Sequence, residues 1–208
     1  TNLGASKPER PGRLLGTVLS DVGGERSYAL EGSIFVAGSL IKWLRDDLKM
    51  LLSAGESEEL ARSVPDNGGV FLLPALSGLG APYWRPHATA AIAGLTFSSG
   101  RAHVIRAALE AISHQTMDLA GAFAEAGAPW AELRIDGGMS ANNWLAQDLA
   151  DMLRLTVRRP YDVETTARGA AMLAAVGAGL HRSLAEAAAA MLPDSTSFQP
   201  RTDEAART

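Results

Sequence analysis

The chain has 208 residues, of which 47% are hydrophobic and 20% are charged, and its formal net charge at pH 7 is −4. A chain of this length can bury one good core, so we expect one large domain. The acidic balance argues against nucleic acid as a partner, because binding to a phosphate backbone needs a basic surface. No apolar run approaches the roughly 18 residues of a membrane span. With no cysteine, the chain has neither disulfides nor thiol metal sites.

The first 13 residues are polar and contain both glycine and proline, so residues 1–13 are predicted to form a linker or tail. They include no apolar signal core, and we therefore expect a cytoplasmic protein. The four histidines stand apart in the sequence and show no ligand spacing, so no metal site is predicted. At the other end, residues 193–208 are polar and are predicted to form a second tail.

Apolar residues recur with the two periods that distinguish strands from helices. Short apolar runs predict strands at 14–19, 27–31, 70–73, 90–95, 133–136 and 155–157. Residues spaced three or four apart predict helices at 33–52, 56–62, 101–126, 142–153, 166–178 and 183–191. Ser33 is the predicted N-cap of the first helix. Strands first, then alternating helices and strands, predict an α/β domain with a mixed sheet and helices on both faces.

The segment LRIDGGMSANNWL begins at Leu133 and comprises a strand, a glycine turn and a helix start. Gly137 and Gly138 allow the backbone to approach a ligand because neither residue carries a Cβ. The free N–H groups at a helix start favour phosphate or hydroxyl oxygens. Asp136 at the end of the strand and Asn142 in the first helical turn are candidates to face the same cleft.

A plain turn is the alternative interpretation of this segment, with Asp136 or Ser140 capping the helix. The spacing alone favours neither interpretation. The segment matches neither G-x-G-x-x-G nor G-x-x-x-x-G-K-[ST], so the dinucleotide-binding and P-loop interpretations fail.

The sequence from Asp136 to Leu180 resembles that of the FGGY carbohydrate kinases. Three further stretches agree with the family in order and spacing, at 28–46, 73–96 and 103–120. Together the four matches span residues 13 to 192. The run Ala-Pro-Tyr-Trp at 81–84 points to the glycerol kinase branch of the family.

This resemblance implies an actin-like, ribonuclease H-type ATPase fold of two similar domains, with ATP and the acceptor bound between them. Residues 14–192 would be the C-terminal, nucleotide-binding domain. By the same resemblance, Gly137 and Gly138 form the turn that contacts adenosine, Asn142 contacts the adenine or ribose, and Gly38 belongs to the nucleotide site. The implied ligands are ATP with Mg²⁺ and a small polyol such as glycerol.

Lys42 matches a position that in typical glycerol kinases holds glutamine. It lies four residues after Gly38, so the two residues share a helix face. A lysine there can still donate a hydrogen bond, although it does so as a charge. The alternative is a solvated lysine paired with Asp46, also four residues away. Arg85 and Ser77 depart from the family pattern in a loop outside the expected nucleotide pocket.

Catalysis in this family needs a general base, phosphate-binding loops and Mg²⁺. The resemblance places the base, the acceptor pocket and the first phosphate loop upstream of residue 13. We therefore assign no catalytic residue in this chain and expect the domain alone to be inactive without its N-terminal kinase domain. Asp136 is interpreted as a cap or a water-mediated magnesium contact. The intact protein is expected to be a homo-oligomer.

Three alternatives remain: a kinase for another polyol or ketose, a non-catalytic nucleotide-binding module, and a degenerate fragment that no longer binds nucleotide. Arg106, Glu110 and His114 form a stripe on one helix, interpreted as an exposed ion pair with a surface histidine rather than an interdomain contact. Tyr83 and Trp84 either face another domain or subunit or pack back on their own core.

Overall fold

The structure, a computed structural model, describes residues 1–9 and 11–201. Within them the strands are β1 (Asn2–Gly4), β2 (Leu15–Val22), β3 (Glu25–Glu31), β4 (Phe71–Leu73), β5 (Ala91–Ala93), β6 (Glu132–Arg134), β7 (Thr156–Pro160) and β8 (Ser195–Phe198). The helices are α1 (Gly38–Asp46), α2 (Glu56–Arg62), α3 (Arg101–Glu125), α4 (Asn143–Leu153), α5 (Thr165–Gly177) and α6 (Leu184–Met191). A short 3₁₀ turn, Gly138–Ala141, precedes α4. None of the described helices is both long and apolar enough to cross a membrane.

The strands divide into three small sheets instead of the one mixed sheet that the sequence predicts. In the first sheet, β2 and β3 form an antiparallel hairpin, and β1 pairs with the other side of β3. Among the described residues, β2 is therefore paired along one side only. Leu15, Val18 and Leu19 on this strand are each about half exposed, at 46%, 50% and 51%.

The third sheet is mixed, because β6 runs parallel to β7 whereas β8 runs antiparallel to it. Strand β8 lies in the segment predicted to be a polar tail, and β1 lies in the segment predicted to be a linker or tail. Phe198 pairs with Val157, which is completely buried, so β8 has an apolar anchor in the core. The rest of the predicted C-terminal tail, residues 202–208, lies outside the described residues.

Helix α3 is the centre of the larger core and contacts α2, α4 and β4. Its buried residues include Val104, Ala108, Ile112 and Leu119, whereas Met117 is 42% exposed. The core also contains Leu40, Ile41 and Leu44 of α1 and Leu145 and Leu149 of α4. The same core therefore contains side chains of α1, α3 and α4.

Helix α1 is much shorter than the predicted helix at 33–52. Ser33 does not cap it, because the helix begins at Gly38 with Ala37 at the N-cap position. The carbonyl of Ser33 accepts a hydrogen bond from Ala81 N at 2.9 Å. That bond holds the segment before α1 against the long loop at 74–90, which connects β4 to β5. At the other end Lys49 has φ of 55°, and Met50 N donates to Leu44 O at 2.8 Å, closing the helix.

The long loop at 74–90 contacts its own domain through the aromatic residues Tyr83 and Trp84. The hydroxyl of Tyr83 donates to Asp118 Oδ2 at 2.8 Å, a bond that raises the pKa of Tyr83. The indole of Trp84 donates to the carbonyl of Arg13 at 2.7 Å and meets Phe35 edge-on. Of the two interpretations of these aromatic residues, the structure favours the one in which the loop is tied to its own domain.

Candidate functional site

The glycine turn connects β6 to α4 and is exposed at Asp136, Gly137 and Gly138. Gly137 has φ of 75°, a backbone conformation that favours glycine. Gly138 does not have a positive φ, and a Cβ there would meet nothing within 4 Å. The fold of the described residues therefore requires a glycine at 137, whereas it leaves open space at 138.

Hydrogen bonds within the glycine turn, and from Arg159 of β7, stabilise its conformation. The hydroxyl of Ser140 donates to Gly137 O at 2.7 Å, and the guanidinium of Arg159 donates to Ser140 O at 2.6 Å. Arg159 also donates to Asn143 Oδ1 at 2.9 Å, which ties the turn to the first residue of α4. A side chain from a neighbouring strand thus holds the turn and the helix start in one arrangement.

Asn142, rather than Asp136 or Ser140, is the N-cap of α4. Its Oδ1 accepts a hydrogen bond from Leu145 N at 2.9 Å. Its Nδ2 donates to Ser57 Oγ at 3.1 Å, a contact between residues 85 apart in sequence. An amide has two lone pairs and two N–H donors, so one of each is left for a ligand after these two bonds.

Replacing Asn142 with alanine is expected to lower the free energy of unfolding by about 1–2 kcal/mol, because α4 loses its cap and Ser57 loses a partner. Asn142→Asp keeps an acceptor for Leu145 N and is expected to retain most of that stability. Urea denaturation of both variants is the measurement. Equal stability of the alanine variant and the parent chain would contradict the capping role.

Helix α1 begins beside the glycine turn. A Cβ at Gly38 would lie 3.1 Å from Cγ of Met139, so the turn and the first residue of α1 are in contact. The structure thus brings Gly38 next to the glycine turn, as the sequence analysis requires. Met139 was not singled out from the sequence, although it lies within the motif.

Lys42 lies one turn along α1 from Gly38 and is exposed. The alternative partner proposed for it, Asp46, is bonded instead by Arg45, with Nε–Oδ1 of 2.6 Å and Nη2–Oδ2 of 2.9 Å. This bond, ahead of every other cause, lowers the pKa of Asp46. Within the described part of the chain, no salt bridge within 4 Å engages Lys42.

Asp136 joins the turn to α5, because its Oδ2 accepts a hydrogen bond from the hydroxyl of Thr165. Thr165 is the first residue of that helix. No group of three histidine or acidic side chains among the described residues could hold a metal ion by itself. The turn therefore offers the carboxylate of Asp136 beside several backbone groups, and a second carboxylate, that of Glu58, accepts from Asn143 N at 2.8 Å at the start of α4.

A surface cleft of about 450 Å³ lies among α2, α3, α4 and β8, with Asn143 at the start of α4 in its lining. Arg106 and Trp144 line it, with the guanidinium 5.3 Å from the indole ring centre. The Arg106–Glu110 pair is not the exposed pair that the sequence predicts. Its side chains are only 18% and 15% exposed, because α2 packs over α3. His114 is exposed, as predicted.

Residues 3–178 match the model of the FGGY family of carbohydrate kinases, C-terminal domain. Over 185 residues the chain is 53% identical to the glycerol kinase of Rhodospirillum centenum, covering 89% of the chain and 37% of that protein. It is 49% identical over 196 residues to the glycerol kinase of Gluconobacter oxydans, covering 94% of the chain and 38% of that protein. The chain thus spans well under half the length of these curated relatives.

Solved structures agree with this match. Glycerol kinase from Plasmodium falciparum, solved with ADP, superposes with a TM-score of 0.85 at 31% identity, covering 98% of this chain and 41% of that one. Xylulose kinase from Lactobacillus acidophilus superposes with a TM-score of 0.79 at 19% identity, covering 97% and 40%, which is a likeness of fold alone. The predicted actin-like α/β fold class is confirmed by these neighbours.

Proposed function

The chain belongs to the FGGY family of carbohydrate kinases, as its C-terminal domain, and from this we propose that it is the ATP-binding domain of a polyol kinase. The intact enzyme would transfer the γ-phosphoryl group of ATP to glycerol, giving ADP and glycerol 3-phosphate. The observation that carries the proposal is identity of about one half to glycerol kinases along most of this chain. A ketose kinase is the weaker candidate, since the xylulose kinase structure is only 19% identical.

We propose that the nucleotide site is built by Gly38 and Lys42 of α1 and by the glycine turn with its neighbours. In this site Gly137 and Gly138 offer backbone to the adenosine, and Asn142 offers the free donor and acceptor of its amide. Asp136 lies at the start of the turn, two residues after the end of β6. The contact between Gly38 and Met139 supports the proposal, because it makes one continuous surface from two segments about 100 residues apart in sequence.

Mg²⁺ would accompany ATP in this site. The described residues supply two carboxylates near the turn, Asp136 and the Glu58 that accepts from Asn143 N at 2.8 Å, and no group of three, so phosphate oxygens and water would provide most of the ligands of the ion. When bound, Mg²⁺ neutralises charge on the phosphates during transfer. The part played by these residues is to bind the adenosine and to hold it against a rigid turn.

The remaining parts of the reaction belong to a longer polypeptide in this proposal. A general base, the acceptor pocket and the first phosphate loop would lie in an N-terminal domain, and closure of the two domains would exclude water. Residues 14–192 would then belong to the C-terminal domain of a cytoplasmic homo-oligomeric enzyme. A non-catalytic nucleotide-binding module on the same fold is a further alternative, which the upstream sequence would decide.

Gly138→Val is the sharpest test of the site, because the fold leaves open space at this position. We expect the parent chain to bind AMP and ATP with a Kd on the order of 10⁻⁴ M or weaker, about 5 kcal/mol. The valine should weaken the binding of AMP and of ATP at least about tenfold by blocking the approach of the ligand, with little change in Tm. Isothermal titration and thermal denaturation measure the two effects.

Gly121→Ala is the matched control. Gly121 is exposed on α3, and a Cβ there also meets nothing within 4 Å, so nucleotide affinity should be unchanged. Unaltered binding by the valine variant at position 138 would exclude the glycine turn from the site. No binding by the parent chain at millimolar AMP or ATP would overturn the proposal that this domain alone holds the nucleotide.

A further inference from the structure

The side-chain amide of Asn142 is held by two partners, and one of them, Ser57, lies outside the proposed nucleotide site. The Nδ2 of Asn142 donates to the hydroxyl of Ser57 at 3.1 Å, and its Oδ1 accepts from Leu145 N at 2.9 Å. Ser57 belongs to α2 and is 1% exposed, so its hydroxyl is shielded from solvent. Asn142 itself is partly exposed, which leaves the rest of its amide accessible to a ligand.

The hydroxyl of Ser57 can bond to only one end of that amide. Its single proton is donated to the carbonyl oxygen of Ala54 at 2.6 Å, so the oxygen of the hydroxyl acts as an acceptor toward Asn142. An acceptor bonds to the N–H₂ end of an amide and not to its oxygen. Leu145 N is a donor and requires the amide oxygen. Both partners therefore select the same orientation, and a flipped amide would lose both bonds.

The first turn of α2 also holds the residue that follows Asn142. Glu58 Oε2 accepts a hydrogen bond from Asn143 N at 2.8 Å. Consecutive residues of α2 thus fix the side chain of Asn142 and the backbone of Asn143. A side chain that is already fixed before a ligand arrives loses less conformational entropy on binding, and this preorganisation increases affinity.

Resting on the proposed nucleotide site, we propose that Ser57 is a positioning residue for the adenosine and acts through Asn142. After its two bonds within the protein, the amide keeps one N–H and one lone pair, and the bond to Ser57 determines where each of them points. Adenosine carries donors and acceptors on both its base and its ribose. In this role Ser57 bonds to Asn142, and only Asn142 bonds to the nucleotide.

Ser57→Ala tests the proposal, because it removes the acceptor and allows the amide to rotate. Titration of the full chain with AMP, followed by NMR, is expected to give a Kd about threefold to tenfold higher than that of the parent chain. In the Asn142→Ala background no amide is left to position, so adding Ser57→Ala should change the Kd less than about 1.5-fold. Equal weakening in both backgrounds would indicate a general structural role of Ser57 and would overturn the proposal.

Ser63→Ala is the matched control. The hydroxyl of Ser63 donates to the carbonyl of Leu60 at 2.8 Å, as that of Ser57 donates to the carbonyl three residues before it. Ser63 is exposed and lies at the opposite end of α2 from Ser57, so the variant should leave the Kd of AMP unchanged. A loss of affinity equal to that of Ser57→Ala would trace the effect to α2 as a whole and would also overturn the proposal.

The orientation of the amide can be measured without nucleotide. In the NMR spectrum of the parent chain, one of the two Nδ2 protons of Asn142 should exchange with water more slowly than the other, because Ser57 accepts it. In Ser57→Ala the two protons should exchange at similar rates. Unchanged exchange in the variant would show that Ser57 does not hold the amide and would overturn the proposal.

Failure of this inference is distinguishable from failure of the proposed function. Binding of AMP that Gly138→Val weakens and Ser57→Ala does not would support the nucleotide site and reject only the positioning role. Absence of AMP binding by the parent chain at millimolar concentration would reject the nucleotide site and, with it, the role of Ser57 in that site.

Discussion

Replacing Arg106 with methionine is expected to lower the free energy of unfolding by about 2–3 kcal/mol. The guanidinium bonds Glu110 Oε1 at 2.9 Å and donates to Val64 O at 2.7 Å, which ties α3 to the end of α2. Methionine keeps the length and apolar body of the side chain but leaves Glu110 as a largely buried charge with Asn67 as its remaining partner. Removing one partner of a buried pair is costly, because the other charge stays desolvated.

Arg62→Met is the internal comparison for this prediction. Arg62 and Glu58 form a pair with the same i,i+4 spacing and the same 2.9 Å separation, but the arginine is 56% exposed. Solvent screens such a pair, so its loss should cost less than about 1 kcal/mol. Urea denaturation of the two variants, at one ionic strength, measures both. Similar losses for the two variants would mean that burial of the Arg106 pair has no energetic consequence.

Replacing Asp148 with asparagine is expected to stabilise the domain above pH 7 by about 2–3 kcal/mol. Burial between α3 and α4 raises the pKa of this carboxyl from 3.8 to about 6. The charges of Glu110 and Asp151 raise it further, whereas that of His114 lowers it. In the described part of the chain, Asp148 Oδ2 and the neighbouring Ser113 Oγ are both buried without a hydrogen-bond partner. A difference of about two pKa units corresponds to about 3 kcal/mol.

The gain in free energy of unfolding from Asp148→Asn should increase as the pH rises. Because the pKa of Asp148 is higher in the folded chain than in the unfolded chain, the folded state binds the proton more tightly. The destabilisation by Asp148 is therefore absent below about pH 4, grows between about pH 4 and 6, and is complete above that range. Denaturation of Asp148→Asn and the parent chain at pH 4 and pH 8 checks this. An equal difference in stability at both pH values would contradict it.

Asp46→Asn serves as the comparison, because we expect this substitution to reduce stability instead of raising it. The bond from Arg45 lowers the pKa of Asp46, so ionisation of this carboxyl favours the folded state. Its replacement should therefore reduce stability at pH 8 rather than raise it, with a small effect because both side chains are accessible to solvent.

The sequence is informative where local signals decide the structure. The glycine turn and the start of α4 were predicted at their observed places, because Gly137 and the capping residue Asn142 act on their own neighbourhood. Helix α3 was predicted within one residue of its observed end, since buried apolar residues recur along it from Val104 to Phe123. The FGGY motifs then related these local features to a known fold.

Contacts between distant segments account for what the sequence did not predict. The apolar period of α1 continues to Leu51, but the bond from Ala81 to Ser33 and the turn at Lys49 limit the helix to nine residues. Strand β8 pairs through its backbone, which has no signature in the side-chain pattern. The Ser57–Asn142 bond joins two residues that no local pattern relates to each other.

The open side of β2 has a consequence for the isolated chain. From Leu15 to Val18, before the register irregularity that precedes Ser20 and the charge of Asp21, the strand contains no charged residue or proline of the kind that commonly prevents an exposed edge from pairing with another chain. Its free backbone groups and half-exposed apolar side chains form a template for a further strand. We expect protein concentration, more than temperature, to limit how long the isolated chain stays in solution.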